Sequence, residues 1–392
     1  MVYWVYRMAI GTTFPMVLEG ELRNRRGVVI DFPDAFTTQS DIFAGNPRLE
    51  MIDPIPNHPY VSKYSLEIQR QLRPTLLAKV GYSGSRGVHL PVTANSNSTR
   101  ARIEDGRLFF DEDAPLTNPN FGRVRFRWFG GSSFYHSFRT EIEKRFSGGL
   151  QFQGAYTYSK NIDDGTSVTG STDFANDTNP RHYSFLDRGL SALDVRHSLT
   201  FNFGAELPGA NLTGVARHLL GGWRLNALTR IRSGPPFSAQ TGFDRANTGE
   251  GARFPDLAPG ASNNPTSGTT AGCAGVDAGR ELGTPDLYFD PCAFALQPEG
   301  FLGNLGRNTM IAPGVATVDF SLAKTFPLSA ITEDARIEFR GEFFNLFNRP
   351  NFALPIDDVF GRRSLRPDSD AGAITETNGS ARQIQFALRL TF

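Results

Sequence analysis

The stretch Ile384-Gln385-Phe386-Ala387-Leu388-Arg389-Leu390-Thr391-Phe392 decides how the rest of the chain is read. Ile384, Phe386, Leu388, Leu390 and Phe392 alternate with Gln385, Ala387, Arg389 and Thr391. Successive side chains of a strand point to opposite faces, so one face here is wholly apolar and the other mostly polar. Chain termini in water are usually frayed and solvated, which fits poorly with an apolar strand ending on an aromatic. A transmembrane β-strand has this form: about 9–11 residues, lipid on one face, lumen on the other, an aromatic at the interface.

The same alternation recurs upstream, in Tyr60 to Leu72, Leu76 to Tyr82, Phe134 to Phe146 and Leu150 to Ser159. It returns in Val195 to Leu207, Trp223 to Arg232, Val318 to Phe326 and Arg336 to Asn345. With the terminal stretch these make nine strands. Met1 to Ile10 is a candidate tenth, since Arg7 inside its apolar part and the lack of a small-residue cleavage site argue against a signal peptide. Residues 11–59 read as irregular and rich in turn formers. No run approaches the roughly 18 apolar residues of a membrane helix.

Composition agrees with many short strands. The 392 residues include 40 glycines, 25 prolines and 33 phenylalanines, a mixture of turn formers and β-favouring aromatics. Lys+Arg and Asp+Glu are both 40, so there is no basic excess of the kind a nucleic-acid surface needs. No nucleic-acid partner is expected. Neither HExxH, a Walker loop, GxSxG nor Cys-x-x-Cys occurs, so no enzyme activity, catalytic residue, metal or cofactor is expected.

The connections alternate in length. Arg73-Pro74 and Ser147-Gly148-Gly149 are tight turns, and Pro208 to Gly222 is short to moderate. Residues 87–130, 161–193 and 235–314 read as long polar loops, and a last loop precedes Ile384. Outer-membrane barrels have short periplasmic turns and long extracellular loops. That rule places Phe392, Arg73-Pro74 and Ser147-Gly149 in the periplasm. Arg336, Glu338, Arg340 and Glu342 share one face; a dry core would need a partner for each, whereas a wet lumen lets them pair across strands or stay hydrated. A solvated face of a soluble β-sandwich explains those charges equally well and the chain end less well.

Other residues carry weaker signals. Cys273 and Cys292 lie in one Gly/Ala/Asn-rich stretch, as a loop disulfide in an oxidising compartment or as two free thiols. The six histidines are scattered; His136 and His197 fall on the apolar side of their strands, in interfacial or structural positions. Asp163-Asp164-Gly165 with Asp173 and Asp177 offers oxygen ligands without EF-hand spacing, and reads better as a solvated loop than as a Ca²⁺ site. Trp223, Tyr156, Tyr158, Phe343 and Phe392 suit aromatic girdles as well as ordinary sheet packing.

An ordered set of segments carries a family resemblance. It comprises Tyr135-His136-Ser137, Gly154-Ala155-Tyr156-Thr157-Tyr158-Ser159-Lys160, Asp194-Val195-Arg196-His197, Gly222-Trp223-Arg224-Leu225-Asn226, Ser233-Gly234-Pro235-Pro236-Phe237, and Glu342 through Phe352 (EFFNLFNRPNF). Across about residues 60–392 it resembles the barrel of TonB-dependent outer-membrane transporters of the Oar-like group, often joined to a carboxypeptidase-regulatory-like domain. The resemblance implies an all-β, antiparallel transmembrane β-barrel in the bacterial outer membrane. Residues 1–392 would form the C-terminal part of one barrel domain, with 9–10 strands out of about 22. It implies energy-coupled uptake of a substrate, with further barrel strands and a plug in the N-terminal part, through which an inner-membrane energy-coupling protein would act. Outer-membrane lipid and the barrel-assembly machinery would be partners, the latter reading Phe392 with Leu390 and Leu388. A passive pore, an adhesive surface barrel and a soluble carbohydrate-binding sandwich are the alternatives.

Overall fold

Nine strands follow one another through a single antiparallel meander. They are β1 (Tyr60–Arg73), β2 (Leu76–Asn95), β3 (Val124–Ser147), β4 (Leu150–Asp163), β5 (His197–Glu206), β6 (Trp223–Arg232), β7 (Val315–Pro327), β8 (Arg336–Phe344) and β9 (Gln383–Thr391). A computed structural model of the chain describes residues 49–165, 179–208, 214, 221–249, 254–328, 335–361 and 365–392. The candidate strand Met1 to Ile10 lies outside them. Each strand pairs with its neighbour in sequence, and all eight pairings are antiparallel. The turn between β3 and β4 rests on Gly148 (φ 60°) and Gly149 (φ 74°), conformations that side chains rarely tolerate.

Register lines up the apolar alternation. Tyr82 faces Leu66 and Phe138, Phe138 faces Tyr158, and Tyr158 faces His197. At the far end Phe320 faces Phe343, and Phe343 faces Ile384. This face is open to its surroundings: Phe138, Ile142, Tyr158, Phe386 and Leu388 are all exposed, Leu388 at 72%. The opposite face buries Ser137, Ser159 and Glu141, the last at 8%. A sheet that exposes its phenylalanines and buries its glutamate is inverted relative to a water-soluble sandwich. It suits a wall with lipid outside and a polar lumen within.

Two stretches differ from the sequence expectation. The segment 87–130 is not all loop: β2 continues to Asn95 and β3 begins at Val124. A bulge between Gly87 and Leu90, with His89 at φ 55°, and a slip at Leu90/Pro91 break the period-two pattern there. Within 11–59, Leu49–Ile52 forms a short strand parallel to the top of β3. Glu50 there meets Arg125 at 3.1 Å and Arg127 at 2.9 Å.

The arc is open. Among the described residues the outer edges of β1 and β9 have no strand partner. Because eight antiparallel steps separate them, these two strands run in the same direction.

Candidate functional site: the lumenal face and its extracellular cap

The inner face is a hydrogen-bonded polar surface. Lys79 of β2 reaches the Glu141 carboxylate at 3.2 Å, Arg139 reaches it at 2.8 Å, and Gln153 of β4 donates to it at 3.0 Å. Arg340 lies 2.7 Å from Glu338 and 3.8 Å from Glu342, so the alternating charges of β8 pair along their own strand rather than across strands. A hollow of about 780 Å³ on this face is lined by Glu143, Gln153, Asn202, Asn226, Ser321 and Glu342, among others. Leu228, which breaks the alternation of β6, stands on this face opposite Asn202 and Asp319.

Among the described residues the outer face carries charge only toward its two rims. At the turn end, Lys144 donates to the Ser147 and Leu150 carbonyls, each at 2.8 Å. Lys324 sits 4.9 Å from the Trp223 ring and 5.0 Å from Phe326. Such placements let an ammonium leave the apolar band while its stem stays in it. At the loop end stand Arg86 and Lys160. Lys144 faces Phe152, and Lys160 lies eight residues further along β4. At about 3.4 Å per residue and a tilt of about 40° the uncharged band between them is about 21 Å tall, close to the ~25 Å of an outer-membrane barrel. Beneath the upper rim, Tyr82 and His136 Nδ1 are hydrogen-bonded at 2.5 Å, and Tyr156 and His197 Nδ1 at 2.8 Å. Tyr64 leans against both Tyr82 and His136. Gly84 makes room for it, since a Cβ there would stand 2.4 Å from the Tyr64 ring. These histidines therefore join an aromatic girdle, and among the described residues no His/Cys/Asp/Glu cluster has metal-binding geometry.

The long loops fold into a cap. Residues 233–314 and 345–382 share a core containing Phe237, Phe254, Phe289, Phe294, Met310 and Phe360. Short ladders tie it: Pro236–Phe237 with Met310–Ile311, Asp256–Leu257 with Phe294–Ala295, and Gln240–Thr241 with Asp358–Phe360. The stretch expected to be irregular is thus internally organised. Cys273 and Cys292 are disulfide-bonded within it, with Cα atoms 5.6 Å apart. The Tyr288 hydroxyl donates to the Ile311 carbonyl at 2.9 Å, and burial pushes its pKa up to about 12.

Arginines pin the cap to its neighbours. Arg107, from the first long loop, grips both Asp256 oxygens (3.0 and 2.7 Å) and the Leu302 carbonyl (2.6 Å). Arg307 is buried against the Asp163 carboxylate and donates to the Asp163 and Asp187 carbonyls at 2.7 and 2.6 Å. Arg188 pairs with Asp164 at 3.0 Å. The two carboxylates weighed as Ca²⁺ ligands therefore each meet an arginine, and Asp173 and Asp177 lie outside the described residues. In the first loop the Asn97 side-chain amide donates to the Asn118, Phe121 and Gly122 carbonyls and its oxygen accepts from the Asn118 N–H. Sequence reasoning passed over Arg107, Arg307 and Asn97, whose partners lie 21 to 195 residues away and leave no local pattern.

Leu388 and Leu390 project from the outer face of β9, and Phe392, 87% exposed, follows its last residue.

An inverted antiparallel sheet with an apolar outer band, charged rims and a folded cap defines a membrane-spanning β-barrel wall. The family model described as an outer membrane beta barrel domain matches residues 11–385, and the chain belongs to that family, which places it in the outer membrane. Among solved structures it is similar to the outer membrane transporter YddB from Escherichia coli, at 10% identity and a TM-score of 0.42. That match covers 88% of this chain and 34% of the transporter, so the chain spans about a third of that protein's length. No curated protein matches the chain.

Proposed function

We propose that the chain is the C-terminal part of the barrel of a TonB-dependent, Oar-like receptor that takes up its substrate with energy supplied from the inner membrane. The observation that carries this reading is the open arc: β1 and β9 run the same way, and neither edge is paired among the described residues. Bacterial outer-membrane barrels have an even number of antiparallel strands, so closure of this wall takes an odd number of further strands. A wider barrel needs a plug to remain closed, which is the architecture of an energy-coupled transporter. The polar lumenal face would line the path past that plug, and the cap would meet the substrate first. Phe392, Leu390 and Leu388 would present the terminal strand to the barrel-assembly machinery.

A protonophore test separates this from a passive pore. Uptake of a labelled nutrient panel is compared between host cells with and without the gene, before and after the proton gradient is collapsed. Gene-dependent uptake that stops with the gradient is expected. A stable conducting channel formed by residues 1–392 alone in a planar bilayer would refute the reading in favour of a passive pore.

A further inference from the structure

Above the aromatic girdle the outer face changes character. Arg86 of β2 stands opposite Phe134 of β3, and Phe134 opposite Ile162 of β4. One step lower, Lys160 stands opposite His136. The guanidiniums of Arg86 and Arg188 both lie over the Phe134 ring, at 5.1 and 5.0 Å from its centre. All three cations are exposed. Arg188 has Asp164 as a counter-charge, while among the described residues no carboxylate lies within 4 Å of Arg86 or Lys160. A groove of about 350 Å³ is lined by Arg188, Asp164, Asp187, Trp128, Phe185 and the bare backbone of Gly130 and Gly131, among others.

Three cations facing outward at the upper edge of an uncharged band about 21 Å tall sit where the headgroups of the outer leaflet begin. Guanidinium and ammonium groups at that level attract anionic headgroups, and arginine grips phosphate in a fork. The groove adds an aromatic wall for the apolar or sugar part of the same molecule. We propose that Arg86, Lys160 and Arg188 form a docking site for the phosphorylated headgroup of an outer-leaflet glycolipid. The site lies on the lipid side of the wall, so it is independent of the transport reading and rests only on the outward direction of this face.

The full chain in detergent is titrated with a diphosphorylated glycolipid, its dephosphorylated counterpart and inorganic phosphate, and bound lipid is counted by native mass spectrometry. The diphosphorylated lipid is expected to bind in preference to the dephosphorylated one. Each of Arg86→Gln, Lys160→Gln and Arg188→Gln should weaken it about fivefold, and R86Q/K160Q/R188Q roughly a hundredfold. Arg340→Gln, which removes a cation from the lumenal face, should stay within twofold. If the triple variant fails to fold, R86Q and K160Q carry the test, because among the described residues neither removes an ion pair. Unchanged affinity in those variants, equal binding of the dephosphorylated lipid, or displacement by inorganic phosphate at lipid-like concentrations overturns the site. An equal loss in R340Q overturns it too, as diffuse charge attraction.

Discussion

Replacing Arg307 by Met tests how the cap is held to the wall. The Arg307 side chain is 4% exposed and that of Asp163 8%, so the pair is shielded from water and salt. Arg307→Met leaves the Asp163 carboxylate buried without this guanidinium, and the Asp163 and Asp187 carbonyls lose charge-assisted donors. Removing one partner of a buried ion pair costs about 3–5 kcal/mol. The loss should be local, because the strand ladders of the wall do not pass through Arg307. At about 1.4 kcal/mol per tenfold, local opening should rise by a factor of roughly 10² to 4 × 10³.

Hydrogen exchange on the detergent-solubilised chain reads this out. The reporting amides are Ser191, bonded to the Asn161 carbonyl at 3.0 Å, and Asn308, bonded to the Ser238 hydroxyl at 2.7 Å. Both should lose protection by that factor, while amides of β6 and β7 keep theirs. Arg307→Lys should fall between, since an ammonium keeps the charge without the planar fork that reaches two carbonyls and a carboxylate together. A change under fivefold at both amides would refute the clamp. So would a uniform loss across the strands, which would make Arg307 a determinant of the wall itself.

The two faces of β9 should answer differently to charge: Phe386→Lys should cost about 2–4 kcal/mol in reversible unfolding from lipid, and Gln385→Lys under about 0.5. Equal costs would remove the assignment of inside and outside. In C273S/C292S, loss of a bridge across a sequence separation of 19 removes about 3 kcal/mol of loop stabilisation, so tryptic cleavage after Arg280 should accelerate on the order of a hundredfold. A rate within threefold of the parent would mean that the cap core alone holds this loop. Burial raises the Tyr288 pKa to about 12 from an unfolded value near 10, so its contribution to cap stability is complete below about pH 10 and is lost as pH rises through 12. The phenolate absorbance of the parent minus that of Tyr288→Phe should titrate near 12; a midpoint near 10 would show the ring to be solvated. Phe392→Ala should lower the fraction of chain reaching a heat-modifiable, membrane-inserted form without changing total synthesis, and unchanged insertion would remove its proposed part in assembly.

The wall was legible from sequence because a barrel wall is built from short-range rules. Period-two alternation assigns each residue to a face, and a glycine turn such as Ser147-Gly148-Gly149 fixes the register of the pair it joins. All nine strands of the meander are visible this way. The apolar alternation of β2 ends at Tyr82 because Gly84 and Arg86 take the next outer positions, and beyond them the register shifts at Gly87–Leu90 and Pro91 disturb the period while the backbone ladder continues. Lys144 and Lys324 escape the alternation rule for a related reason. As letters they interrupt an apolar face; as side chains near a rim they leave the band through contacts that only the structure places.

The cap follows a different logic. Arg307 meets Asp163 across 144 residues of sequence and Arg107 meets Asp256 across 149, so nothing within a turn or strand of either arginine announces its partner. What a sequence supplies there is composition: Gly, Pro and Asn in long runs, which the loops' shared aromatic core turns into a folded body. The wall and the cap therefore differ in what can change independently. A substitution on the wall is felt through its face, lipid or lumen, and its consequence can be predicted from parity alone. A substitution in the cap is felt through a distant loop, which is why recognition of a substrate by this cap has to be sought by experiment on the folded molecule rather than from any one segment.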